Sequence, residues 1–128
     1  MYKPALISGT MLAALAVMLG AFGAHALKVR LAPDQLAIYE KGVQYQFYHS
    51  FALLLTGIAY LSYPVKKLRL STLFFTAGIA CFSGSLYAMS LLSMYSIGFG
   101  PIGIITPIGG LFFIAGWLSL FLAVLKKA

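Results

Sequence analysis

Long uncharged runs divided by short polar connections organise this chain. Residues 4–27, 43–63, 70–93 and 104–125 each hold the roughly 20 predominantly apolar residues that carry a helix across a hydrocarbon core about 30 Å thick. Between the first two runs the chain turns polar, with Lys28, Arg30, Asp34, Glu40 and Lys41, and Pro33-Asp34 marks the start of a short helix expected to lie at the membrane interface. Pro64-Val65-Lys66-Lys67-Leu68-Arg69 is too short for anything but a tight turn, so the second and third runs should be antiparallel neighbours. An uncharged connection containing Gly98, Gly100 and Pro101 leads into the last run. The pattern predicts an all-α membrane protein: a four-transmembrane-helix antiparallel bundle, with residues 1–128 forming a single domain. The first run is expected to be kept as a span. Its uncharged stretch outlasts the apolar core of about 7–15 residues typical of a signal peptide, although Ala24-His25-Ala26 imitates a cleavage site.

Composition strengthens the membrane reading. With 62% hydrophobic and 9% charged residues the chain cannot cover a water-facing surface, which takes about a quarter charged residues. The net charge of +7 changes the picture only through its placement. Lys3, Lys66, Lys67, Arg69, Lys126 and Lys127 fall on one side of the threaded spans, while Lys28, Arg30 and Lys41 share the other with Asp34 and Glu40. That asymmetry predicts a plasma (inner) membrane protein with both termini in the cytoplasm. It also argues against a nucleic-acid partner, which calls for a basic stripe interleaved with aromatic residues on a solvated face. Cys81, the one cysteine, sits inside an apolar run, where a packing role suits it better than a reactive thiol.

Gly9, Ala13, Ala16, Gly20 and Gly23 follow one another at helical spacing down the first run, a stripe along which another helix can approach closely. Ala77, Cys81, Gly84 and Ala88 repeat the device in the third. Polar residues inside the runs are more informative, because each is costly in hydrocarbon unless paired. At about 1.5 Å of rise per residue, His25 lies near the outer end of the first span and His49 about 9 Å inside the second, with Tyr87 and Thr106 at comparable depth. Gln46 with His49, and Ser83 with Tyr87, share helix faces. The expected site is therefore a polar layer in the outer leaflet built from His25, Gln46, His49, Ser83, Tyr87 and Thr106, with Glu40 at its entrance. The same groups serve equally as a hydrogen-bonded cluster that fixes helix register.

Other chemistry fits less well. Two histidines could bind a b-type haem, but a zinc site wants three or four ligands. A serine nucleophile relayed through histidine lacks a carboxylate within any span, and Glu40 with His49 would be an unsupported acid-base pair. No catalytic residue, metal or cofactor is expected. Pro107 frees the carbonyl of Gly103 and should bend the last helix.

Four segments in series resemble a known group: Gly20-Ala21-Phe22-Gly23-Ala24-His25-Ala26-Leu27, Gln44-Tyr45-Gln46-Phe47-Tyr48-His49-Ser50, Phe82-Ser83-Gly84-Ser85-Leu86-Tyr87, and Thr106-Pro107-Ile108-Gly109-Gly110 followed by Gly116-Trp117. Together they are similar to the YgdD and YwdK type of bacterial inner-membrane protein, a domain of unknown function numbered 423 with a small eukaryotic transmembrane relative. Ser50 departs from the alanine more usual after the histidine. The resemblance implies a four-helix plasma-membrane protein and supplies no activity, substrate or cofactor. The functional expectation is a non-enzymatic module that binds a membrane lipid, an amphiphile or a membrane-protein partner through the outer polar layer. A transporter or channel made by homo-oligomerisation is the rival, weakened by the lack of charged residues within the spans.

Overall fold

A computed structural model describes residues 1–98 and 100–125. Lys126 and Lys127, two of the basic residues expected on the cytoplasmic side, lie outside the described residues. The chain is all helical among the described residues: α1 (Lys3–Phe22), α2 (Pro33–Ala59), α3 (Lys66–Gly78), α4 (Gly84–Ser93) and α5 (Ile102–Leu125). A π-helical turn, Gly23–Leu27, extends α1, and a second, Ile79–Ser83, fuses α3 and α4 into one rod. Three helical stretches, Lys3–Leu27, Lys66–Ser93 and Ile102–Leu125, are long and apolar enough to cross a membrane.

Proline sets most of the starts. Pro4 and Pro33 occupy the first turns of α1 and α2, where a missing N–H costs nothing. Asp34 adds a favourable charge at the positive end of the α2 dipole. After Pro64 the chain stays extended at Val65 (φ −110°, ψ 151°) before α3 begins. Past the end of α4, Ser96 takes a left-handed conformation (φ 55°) and Ile97 N–H bonds back to the Leu92 carbonyl at 3.2 Å, which closes the helix end.

The second helix differs from its expected form. It begins at Pro33 rather than near Val43, and the interfacial helix predicted for its first turns is continuous with the rest of the helix. The reason is burial: Tyr39 and Gly42 are as enclosed as Gln46 and Leu53 further along, so no break separates a surface piece from a buried one. Gln44, Gln46 and His49 hold its hydropathy below that of the other three stretches.

Residues near the start of α1 meet residues near the end of α2, and the order reverses along the pair. Tyr2 N–H donates to the Gly57 carbonyl at 3.1 Å, Gly9 faces Leu53 and Leu54, Gly20 faces Val43, and Gly23 faces the ring of Tyr39. The small-residue stripe of α1 is thus its seam with α2. The second stripe does not form. The π turn inserts extra backbone into the rod, which rotates the face, and Gly84 has nothing within 4 Å of where a Cβ would stand. Phe113 fills the space above Gly78 instead. Three apolar clusters stack along the molecule: Leu27, Leu31 and Tyr39 at one end; Ala52, Leu53, Phe75, Ile79 and Phe113 in the middle; Leu68, Leu120 and Ala123 at the other end.

Candidate functional site

The buried polar groups gather along α2. Gln46 is almost wholly enclosed. Its Nε2–H donates to the Leu12 carbonyl of α1 at 2.9 Å, and its Oε1 accepts the Tyr87 hydroxyl of α4 at 2.7 Å. One amide therefore ties α1, α2 and α4 together. One turn earlier, Gly42 lies beneath the Tyr87 ring, and a Cβ there would stand 2.8 Å from Tyr87 Cε1. The Gly42 carbonyl also accepts Ser83 Oγ–H at 2.7 Å. A serine hydroxyl from the π turn thus satisfies an α2 backbone group that already has a helical partner, as a carbonyl with two lone pairs allows.

His49 occupies a second centre, deeper in the molecule. Its Nδ1–H donates to the Tyr45 carbonyl at 2.7 Å, and its Nε2 accepts Trp117 Nε1–H at 3.2 Å. That pattern makes the imidazole neutral, with the proton on Nδ1. The ring lies flat on Phe113, centroids 3.5 Å apart and planes 7° off parallel, with Phe75 at 5.7 Å. Both ring nitrogens are engaged, so ligation of a haem iron would first have to break one of these bonds. Thr106 pairs with Ser85, a residue that also donates to the Phe82 carbonyl.

The seven expected site residues thus fall into separate groups. Gln46, Ser83 and Tyr87 form one network, Thr106 joins Ser85 beside it, and His49 packs with Phe113 and Trp117. His25 and Glu40 are exposed and belong to none of these groups. Residues outside the expectation complete the arrangement: Tyr39, whose hydroxyl donates to the Leu19 carbonyl at 2.6 Å, and Trp117. Among the described residues no three His, Cys, Asp or Glu side chains gather as a metal set.

The open space lies elsewhere. A cleft of about 450 Å³ at the end of the molecule nearest Tyr39 is lined by Phe22, Ala26, Leu27, Arg30, Leu91, Met94 and Tyr95. Arg30 is its only charged wall, and the other side chains are apolar or aromatic. The Tyr87→Phe variant separates the closed network from this cleft. It should lower stability by about 1 kcal/mol, because Gln46 Oε1 loses its hydroxyl donor in a buried site, measured by denaturing-detergent titration with helicity as the readout.

The family described as "Protein of unknown function (DUF423)" matches residues 19–110. The chain belongs to the DUF423 family. The match takes in the first π turn, the whole of α2 and the Gly109-Gly110 pair, and with them Gln46, His49, Ser83, Tyr87 and Thr106, whereas their partners Leu12, Phe113 and Trp117 lie outside it. Similar proteins include a UPF0382 membrane protein of Staphylococcus aureus, 41% identical over 123 residues that cover 96% of each chain. UPF0382 membrane protein YwdK of Bacillus subtilis is 40% identical over 128 residues, 97% of this chain and 98% of its own. A Staphylococcus epidermidis UPF0382 membrane protein is 41% identical over 126 residues, 98% of each. No solved structure matches this DUF423 chain. The relatives' names and the apolar helices agree on a membrane protein.

Proposed function

We propose that this DUF423 protein is a four-span, non-enzymatic module of the bacterial plasma membrane, both termini cytoplasmic, that holds a membrane lipid in the cleft at its outer end. Support for the fourth span comes from the two faces of α2. Tyr48, Phe51, Leu55 and Ile58 are each more than half exposed and follow one another at helical spacing as an apolar lipid-facing stripe, while Gln46, His49, Ser50 and Thr56 are buried and bonded. A helix of modest hydropathy can cross a bilayer when its polar groups turn inward and are paired. The order of contacts between α1 and α2, and of Ser71 with Gly116, Phe82 with Gly109 and Ser85 with Thr106 between the Lys66–Ser93 rod and α5, supports an antiparallel bundle. Lys3, Lys66, Lys67 and Arg69 at one end support the orientation.

The observation that carries the binding reading is that the fully buried polar side chains bond to one another or to backbone, the oxygen of the partly buried Gln35 being the one buried side-chain atom without a partner among the described residues, whereas the cleft combines apolar walls with one cationic side chain, Arg30. An acyl chain against Phe22, Leu27, Leu91 and Met94 with its polar head near Arg30 matches that lining. Native mass spectrometry of the gently solubilised protein tests it. Met94→Trp, which fills the cleft, should remove one retained lipid per chain. Retention equal to that of the unsubstituted protein, or a co-purifying protein in place of lipid, would sink the proposal.

A further inference from the structure

Arg69, in the first turn of α3, is fixed by aromatic side chains at the end of the molecule opposite the cleft. Its Nη2–H and Nε–H donate to the Tyr60 hydroxyl at 2.7 and 3.2 Å. The guanidinium carbon stands 5.6 Å from the Tyr60 ring centroid and 5.8 Å from that of Tyr2, within the range of cation–π attraction. Those rings are 5.3 Å apart, and Tyr2 is itself pinned to the end of α2 through the Gly57 carbonyl. A side chain that would otherwise lose much rotamer freedom on binding is ordered beforehand.

This ordered cation has no carboxylate side chain within reach. The chain carries only two, Asp34 and Glu40, and from Glu40 to Tyr60 the α2 helix rises roughly 30 Å. Lys66, three residues before Arg69 and so on the same face, joins Arg69 in lining a cavity of about 480 Å³ with Tyr2, Tyr60, Pro64, Leu70 and Leu73. Leu70 and Leu73 are exposed and continue along α3 in the direction of the bundle's middle. The cavity thus has a basic head and an apolar tail, at the end where Lys3 and Lys67 add positive charge.

We propose that this cavity binds the phosphodiester head of an anionic phospholipid, with Arg69 and Lys66 on the phosphate oxygens and an acyl chain along Leu70 and Leu73. The guanidinium fork matches phosphate geometry in a way that a lysine point charge does not. The surrounding lysines favour an anionic lipid over a zwitterionic one, whose ammonium they would repel. The site is independent of the outer cleft, and either can exist without the other.

Native mass spectrometry of the full-length protein, titrated separately with dioleoylphosphatidylglycerol, dioleoylphosphatidylcholine and inorganic phosphate, tests it. The unsubstituted protein should prefer the phosphatidylglycerol. Arg69→Gln should weaken that lipid roughly tenfold or more, the loss expected for a charge-assisted hydrogen bond, and Arg69→Lys should fall between them. Met94→Trp, which acts at the other end, should leave the preference intact. Equal binding of the two lipids, an undiminished preference in Arg69→Gln, or inorganic phosphate bound as tightly as the lipid would each overturn the proposal. Should Arg69→Gln lose helicity, Arg69→Lys and Lys66→Gln decide the question: an unchanged preference in both overturns it equally.

Discussion

Gly109→Ala should destabilise the protein by about 1–3 kcal/mol, whereas Gly110→Ala, one residue on, should leave stability unchanged within about 0.5 kcal/mol. The two glycines are adjacent and both lie inside α5. They differ in what a methyl group would meet. At Gly109 a Cβ would run into the backbone N and Cα of Phe82, in the π turn of the neighbouring rod, and backbone cannot swing aside as a side-chain tip can. At Gly110 nothing lies within 4 Å. Removing a helical glycine is otherwise mildly favourable, so the whole loss at Gly109 would report the contact between helices. Denaturing-detergent titrations of the two variants side by side provide the measurement. Equal midpoints would mean that Phe82 does not pack on Gly109.

That contact illustrates which parts of the fold the sequence displays. Uncharged runs, with Pro33 at the start of α2 and Pro64 and Pro101 ahead of α3 and α5, place the elements because length, apolarity and a fixed φ act locally. The continuity of α2 was hidden by Glu40 and Lys41, whose charge suggested an interfacial piece. The decisive pattern was nonetheless present: Tyr39, Gly42, Gln46, His49, Leu53 and Thr56 alternate three and four apart and are all buried. The π turn at Ile79–Ser83 leaves no such trace. It is an insertion in a helix that keeps ordinary helical dihedrals at its ends, and its advantage lies in aiming Ser83 at Gly42 and Ser85 at Thr106, which are partners on other helices. Periodicity counted straight through it misassigned the face carrying Gly84.

The polar groups divide the same way. Gln46, His49, Ser83, Tyr87 and Thr106 were legible as costly residues in apolar runs, because the cost of burying an unpaired polar group does not depend on the fold. Their partners were not. Leu12, Leu19 and Gly42 contribute carbonyl oxygens, which every residue carries, and Trp117 offers a donor on a side chain that reads as apolar. Depth along the helix places His25 in the polar layer and Glu40 at its entrance, and depth does not specify contact: both side chains are exposed.

The two histidines provide the sharpest contrast between depth and direction. His49→Ala should cost about 2–4 kcal/mol, since it opens a void beside Phe113 and strips Trp117 Nε1–H of its acceptor. His25→Ala should stay within about 0.5 kcal/mol of the unsubstituted protein, as befits an exposed side chain. Trp117 is the single tryptophan, so its emission reports this centre alone and should change in His49→Ala but not in His25→Ala. The pairing of stability with emission matters because a ligand-binding histidine predicts something else: loss of retained lipid with the unfolding midpoint preserved. A His49→Ala protein as stable as the unsubstituted one, with unaltered tryptophan emission, would remove His49 from the packing that joins α2 to α5. A fall in stability with cleft lipid still retained would fix its role as the group that lets a moderately polar α2 stand inside the bundle.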